Sequence, residues 1–370
     1  MNINRIIYIY KKSLVQECNR LPGMPKRASM VQDLINSYNL LLDDRFLVVQ
    51  SADATDNELK SFHSTAYIEY LKNVGKTDSG ATEDPEYFGL TDECPVLPNN
   101  DVLVKIIAGG SISAAKLLVA KKCNIAINWF GGWHHAQRDS AEGFCYVNDV
   151  VLAIQILRKS FERILYVDLD IHHGNGVQNA FEYSNKILTL SFHQKTAGFY
   201  PGTGGLEDIG CGEGKYYSVN VPFLEGIGHE NYTKVFKEVF KCVLASFPAK
   251  AIVVQCGADG LNGDPIGRCN LTLETYGDCV KEILKCDLPT LFLGGGGYNF
   301  ANASRLWTYL TAVIANIHLD NDIPDESEYF PEYGPSYELE IPQGLQKDMN
   351  SKAYIEDILN AIKSHCTYLK

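Results

Sequence analysis

The sequence predicts an α/β fold in which one central, mostly parallel sheet is covered by helices on both faces. Two features carry that prediction: short Val, Ile and Leu runs suited to buried strands, and helical patterns between them. A third is that four strand runs end in glycines or ionisable residues. Composition permits such a core, since 45% of the 370 residues are hydrophobic and 11% aromatic, too much for a disordered chain.

The N-terminus, Met1-Asn2-Ile3-Asn4-Arg5 and five apolar residues before Lys11-Lys12, is too short for a signal-peptide core. Residues 75–100, rich in Asp, Glu, Pro and Gly, predict a long surface loop contributing to a substrate rim. Strands are expected over 124–130, 164–168, 187–192, 251–255 and 290–293, and helices over 102–122, 148–159, 230–246, 272–285 and 301–317. Length alone suggests two or three domains, but the unbroken alternation reads as one, spanning residues 1–370. No run approaches a membrane span. Thirty-three basic against 45 acidic residues leave a net charge of −12, which excludes binding nucleic acid by phosphate neutralisation. Eleven cysteines without a CxxC pair suit reduced thiols and an intracellular protein.

Chemistry gathers after the strands. The first runs into Gly131-Gly132-Trp133-His134-His135, the second into Asp168-Leu169-Asp170-Ile171-His172-His173, the fourth into Cys256-Gly257-Ala258-Asp259, and the fifth into Gly294-Gly295-Gly296-Gly297-Tyr298. In open α/β sheets ligands bind beyond the carboxyl ends of the strands, so these groups are expected at one edge. The period-2 alternation of extended chain puts Asp170 and His172 on one side, and Asp259 can add a third ligand. Two carboxylates and one imidazole with an open position suit catalytic zinc, and Fe(II), Co(II) or Mn(II) accept the same donors. Strand-end carboxylates often only cap helices, but burying two side by side costs several kcal/mol unless cations neutralise them.

The adjacent histidines His134 and His135, near Asp168, suit proton transfer to and from an activated water. His173 reads as structural. The four glycines lack the spacing of a phosphate loop and read as a flexible turn placing Tyr298 to donate to an oxyanion. Gly143-Phe144 and Gly198-Phe199-Tyr200-Pro201-Gly202-Thr203-Gly204 suggest walls for a slim aliphatic chain.

Together Asn128–Ala136, Gly143-Phe144-Cys145-Tyr146, Tyr166–Gly174 and Gly294–Asn299 resemble the zinc-dependent histone deacetylase family, class I, over roughly Ile6 to Ile362. The resemblance implies an arginase/deacetylase-like fold and hydrolysis of N6-acetyl-lysine in histone tails or other proteins, in nucleus and cytoplasm, by a monomer that hydroxamate-type chelators would inhibit. It implies zinc on Asp170, His172 and Asp259, His135 as general base and later acid, His134 as electrostatic partner tied to Asp168, and Tyr298 polarising the carbonyl. Gly143, Phe144, Tyr200 and Ile266 would line a lysine tunnel, and Arg27, Gly131 and Trp133 an acetate channel. Two potassium sites would fall on Asp168, Asp170, His172, Ser191 and Phe192, and on Phe181, Ser184, Ile187 and Tyr217.

Four positions depart from the family pattern. Glu93 precedes Cys94-Pro95 where an Asp that holds the substrate backbone is usual, with Asp92 one residue earlier, and either carboxylate can serve. Tyr200 replaces a phenylalanine, and Ile266 a Met or Leu. Asn175 stands where an Asp pairs with the base, and an amide orients His135 without a charge to raise its pKa. Three other functions fit parts of the pattern: a deacylase of acetylpolyamines or longer acyl-lysines, a binuclear ureohydrolase, and a catalytically dead acyl-lysine binder. Gly174 and Leu261 fall two residues after His172 and Asp259, where a second metal would need carboxylates.

Overall fold

The computed structural model describes residues 5–74 and 84–369. Eight strands form one sheet: β1 (Ile6–Ile9), β2 (Phe46–Val49), β3 (Ile125–Asn128), β4 (Ile164–Asp168), β5 (Ile187–Gln194), β6 (Ser218–Phe223), β7 (Ala251–Gln255) and β8 (Thr290–Leu293). Their order is β2-β1-β3-β8-β7-β4-β5-β6, and every pairing is parallel. Parallel strands need crossovers, mostly helical here, which cover both faces, while β5 passes to β6 through residues 195–217 without an α-helix.

Period-2 alternation divides the strand side chains between two cores. Leu165, Val167, Ile252, Val254 and Phe292 meet helices His229–Ser246, Leu273–Leu284, Phe300–Ala315 and Lys352–Cys366. Ile164, Tyr166, Ala251, Val253 and Leu291 meet helices Lys12–Cys18, Asn100–Val119 and Asp149–Leu157. Each large side chain so buried contributes about 1.5–3 kcal/mol before entropy is charged against it.

The five expected strands are present, with β3 ending at Asn128 and β5 running on to Gln194. Three others were not expected. β1 and β2 have only four residues each, and Leu47 and Val48 of edge strand β2 are exposed. Asn220 and Pro222 interrupt the apolar run of β6, and Pro222 is tolerated because β6 is also an edge. Of the expected loop, residues 75–83 lie outside the described residues, as do residues 1–4. The part that follows is not all surface, because Phe88, Leu90 and Cys94 are buried there.

One correction concerns length and polarity. The helix Asn100–Val119 has 20 residues, and its most apolar stretch has a mean hydropathy of 1.8, long and apolar enough to cross a membrane, contrary to expectation. Its Gly109 and Gly110 admit neighbouring chain closely, and 67% of its apolar window is buried inside the protein. It reads as apolar nearly all round because it is packed nearly all round. All 11 cysteines are free and eight are buried.

The registers fix the site. Asn128 of β3 lies opposite Leu293 of β8, Leu293 opposite Gln255 of β7, Gln255 opposite Asp168 of β4, and Asp168 opposite Ser191 of β5. The loops after β3, β8, β7 and β4 therefore leave the sheet from one row.

Candidate active site

After β4 the chain carries Leu169 and Ile171 into the core, leaving Asp170 and His172 for the site. Asp259 arrives from the loop after β7. Candidate ligand atoms of Asp170, His172 and Asp259 lie within 4.8 Å of one another, all three side chains buried. His172 Nδ1 is 2.9 Å from Asp259 Oδ2 and 3.4 Å from Asp170 Oδ1. Asp170 Oδ2 also accepts from Gln255 Nε2 at 2.8 Å and from the Gly296 N–H at 2.9 Å. Asp259 Oδ1 accepts from the Ile171 N–H at 3.0 Å.

Among the described residues, ion pairs to these two carboxylates come only from His134 and His172. Burial and the neighbouring Asp170 push Asp259 up to about 7. Burial also works against ionised Asp170, but His134 and His172 outweigh it and hold that carboxylate well below its usual range. Burial disfavours the His172 cation, yet Asp259 and Asp170 raise it to about 10. The shared imidazolium proton thus stands where a cation is needed. With no thiolate and no Lys or Arg, this N/O donor set fits a divalent ion.

The histidine pair is held by its loop. The buried Asp149 carboxylate accepts from the Gly132 and Trp133 N–H groups, at 3.0 and 2.8 Å, and from the Ser111 hydroxyl. His134 Nδ1 is 2.8 Å from Asp168 Oδ2, which also accepts from the Tyr166 hydroxyl at 2.7 Å. Burial lowers His134, but Asp168 and Asp170 prevail and raise it to about 9. Its Nε2 lies 3.1 Å from His135 Nε2. Burial and the His134 charge hold His135 well below its ordinary value. One imidazole is therefore a cation and its neighbour a neutral base, the separation that acid–base chemistry requires. His135 Nδ1 meets Asn175 Oδ1 at 2.8 Å.

A cavity of about 350 Å³ opens onto these groups, with Glu93, Gly143, Phe144, Phe199, Tyr200, Ile266 and Tyr298 among its walls. Phe199 stacks on His172 with centroids 4.9 Å apart. Gly143 at φ +53° leaves no room for a side chain against His135. Asp92 is exposed and does not line the cavity. Burial and then Asp259 and Asp170 raise the Tyr298 phenol well above its ordinary value, so it remains a donor. Asp264 holds its backbone, accepting from the Tyr298 N–H at 2.7 Å. The glycines before it serve proximity: a Cβ on Gly296 would collide with Asp259 Oδ2.

Trp133 lines a second void of about 10 Å³ together with Tyr298, His134 and His135. Gly131 and Arg27 are not on its wall. Arg27 is buried, donates to Gly297 O at 3.0 Å and sits over the Trp133 and Trp307 rings. His173 has structural partners, Thr203 and Gln178. Ser191 Oγ bonds His193 Nδ1 at 2.9 Å, with Phe192 packed in the core beside it. Phe181, Ser184 and Ile187 span the end of helix Asn175–Phe181 and the start of β5, where the Thr189 N–H donates to Tyr217 O. Sequence reasoning missed Gln255, Asp149, Asp264 and Glu142, because each acts through a contact distant in sequence. Asp149, an acidic residue directly ahead of an apolar helical run, was the available signal.

Buried carboxylates, imidazoles and a phenol around one cavity define a hydrolytic centre of the metal-dependent kind. A family model described as the histone deacetylase domain matches residues 21–314. Histone deacetylase 8 of Xenopus tropicalis is 44% identical over 97% of each chain, and that of Danio rerio 43% over 97% of this chain and 94% of its own. Human histone deacetylase 1 is 40% identical over 91% of this chain and 69% of its own. The chain belongs to the histone deacetylase family, and its fold is the arginase/deacetylase fold.

Proposed function

We propose that this chain, acting as one catalytic domain, removes acetyl groups from N6-acetyl-lysine in histone tails or other proteins. The observation that carries the reading is the buried Asp170–His172–Asp259 cluster opening onto a cavity shared with His135 and Tyr298. Asp170, His172 and Asp259 would hold zinc, which supplies Lewis acidity at the amide carbonyl and acidifies water. Potassium on the Asp168 group would add charge beside the buried carboxylates, and potassium on the Phe181 group would sit at the far end of β5.

The cavity walls hold the lysine stem, with Gly143 and Phe144 on one side and Tyr200 on another. Glu93, the carboxylate that lines the cavity, is placed to hold substrate backbone. His135, neutral with its Nδ1 proton bound by Asn175, takes a proton from water at Nε2 and later delivers one to the departing amine. Tyr298 donates to the developing oxyanion, worth about 10²–10³ in kcat for one such donor. His134, held positive by Asp168, places charge beside the reacting carbonyl. The reading places the protein in the nucleus, where acetylated histones are.

The test is turnover of acetyl-lysine peptides after chelation and readdition of single metals. Activity lost on chelation and restored by zinc, Fe(II) or Co(II) is expected. Turnover indifferent to chelation, or confined to acetylpolyamines, overturns the proposal.

A further inference from the structure

The surroundings of His135 hold a carboxylate that this chemistry leaves unused. Glu142 closes a two-residue turn: its N–H donates to Cys145 O at 3.0 Å and the Cys145 N–H returns to Glu142 O at 2.9 Å. Between them Gly143 and Phe144 have φ of +53° and +65°. The Glu142 side chain is turned toward the base. Oε1 accepts from Asn175 Nδ2 at 2.6 Å and from the Tyr200 hydroxyl at 3.0 Å, and Oε2 accepts from Gln137 Nε2 at 2.8 Å. Asn175 in turn presents Oδ1 to His135 Nδ1 at 2.8 Å.

An amide differs from a carboxylate in one consequential way. A carboxylate beside an imidazole only accepts, so it selects the Nδ1–H tautomer unaided. An amide offers an acceptor on one side and donors on the other, in nearly the same shape. With Oδ1 toward the ring, Nδ1 keeps its proton and the Nε2 lone pair is available. With Nδ2 toward the ring, Nδ1 must accept, Nε2 carries the proton and the base is lost. Asn175 alone does not choose between these, and His134, whose Nε2 lies 3.1 Å from His135 Nε2, favours the first only while it keeps its own proton there. Glu142 does choose, because the reversed amide would press two acceptors together at 2.6 Å.

We infer that Glu142 is a positioning residue for deacetylation, locking the Asn175 amide so that His135 is held as the Nδ1–H tautomer. The inference rests on the reading of His135 as the base. The negative charge that Asn175 lacks is thereby supplied one side chain further out, through a charge-assisted bond that strengthens the next in the chain. Tyr200 and Gln137 hold the carboxylate in place, so the hydroxyl that distinguishes Tyr200 from phenylalanine ties the cavity wall to the base.

A double-substitution cycle tests this on the full chain. Glu142→Ala should lower kcat about tenfold, the scale of removing an outer partner of a site residue, with KM and bound metal unchanged. In Glu142→Ala/Asn175→Asp a carboxylate meets Nδ1 directly and no amide can turn, so kcat should return to within about threefold of the parent. Imidazole ¹⁵N shifts should show His135 as Nδ1–H in the parent and as mixed tautomers in Glu142→Ala. Parental kcat in Glu142→Ala, a double variant as slow as the single, or an unchanged tautomer overturns the inference. A parent inert toward acetyl-lysine peptides would overturn the deacetylase reading instead, while the ¹⁵N shifts would still decide whether Glu142 sets the tautomer.

Discussion

The cluster around His172 and the chain leading away from His135 use the same residue types to opposite ends. At His172 two carboxylates touch one imidazole directly, and despite burial they raise it to about 10. At His135 an amide stands between ring and carboxylate, and burial with the His134 charge drives it well below its ordinary value. Direct contact makes a site for positive charge, whereas a contact relayed through Asn175 orients a base without protonating it. Basicity here is set by the first neighbour, not by histidine itself.

The comparison can be broken most severely at the cation end. Asp259→Asn removes a charge from the cluster and should abolish stoichiometric metal, lowering kcat by more than about 1,000-fold; elemental analysis with peptide turnover checks it. Tyr298→Phe spares the cluster and removes one oxyanion donor, so kcat should fall about 10²–10³-fold with metal retained. Full activity in that variant would end the proposed mechanism.

The two ends also differ in their response to pH. In the metal-free chain His172 keeps its proton up to about 10, and Asp259 is ionised only above about 7. Metal must displace the imidazole proton, so between about pH 7.5 and 9 its apparent affinity should rise about tenfold per pH unit. Chelator-competition titrations would show this slope, and a flat profile would mean that His172 is not a ligand. At the other end the base works only when unprotonated. Its depressed pKa therefore places the acidic limb of kcat/KM low, and Asn175→Asp should move that limb up by about one unit. The shift should be larger in the Glu142→Ala background, where two carboxylates are not forced together. An unmoved limb in both would show that the neighbour of His135 does not set its basicity.

Much of this was legible in one dimension. The five central strands could be read because parallel strands buried on both faces are written as unbroken Val, Ile and Leu runs. β1 and the edge strands β2 and β6 were not read: β1 and β2 lie ahead of the alternating strand–helix pattern, and polar residues interrupt β6. The ligand candidates were legible because Asp170 and His172 alternate with the apolar Leu169 and Ile171 just beyond β4, and Asp259 follows a strand of the same type. Glu142 was not, because nothing at position 142 announces that Asn175, 33 residues away, turns its amide toward it.

The order of residues thus determined the layered fold, the edge where polar groups collect and the family to which the chain belongs. Only the folded chain decided that Glu93 rather than Asp92 faces the cavity, that Gly296 is small to admit Asp259, and that a carboxylate stands behind Asn175. Periodicity along a strand is local and survives in the sequence. Hydrogen bonds between loops depend on register across the sheet, which aligns Asn128, Leu293, Gln255 and Asp168 only once all the strands are paired.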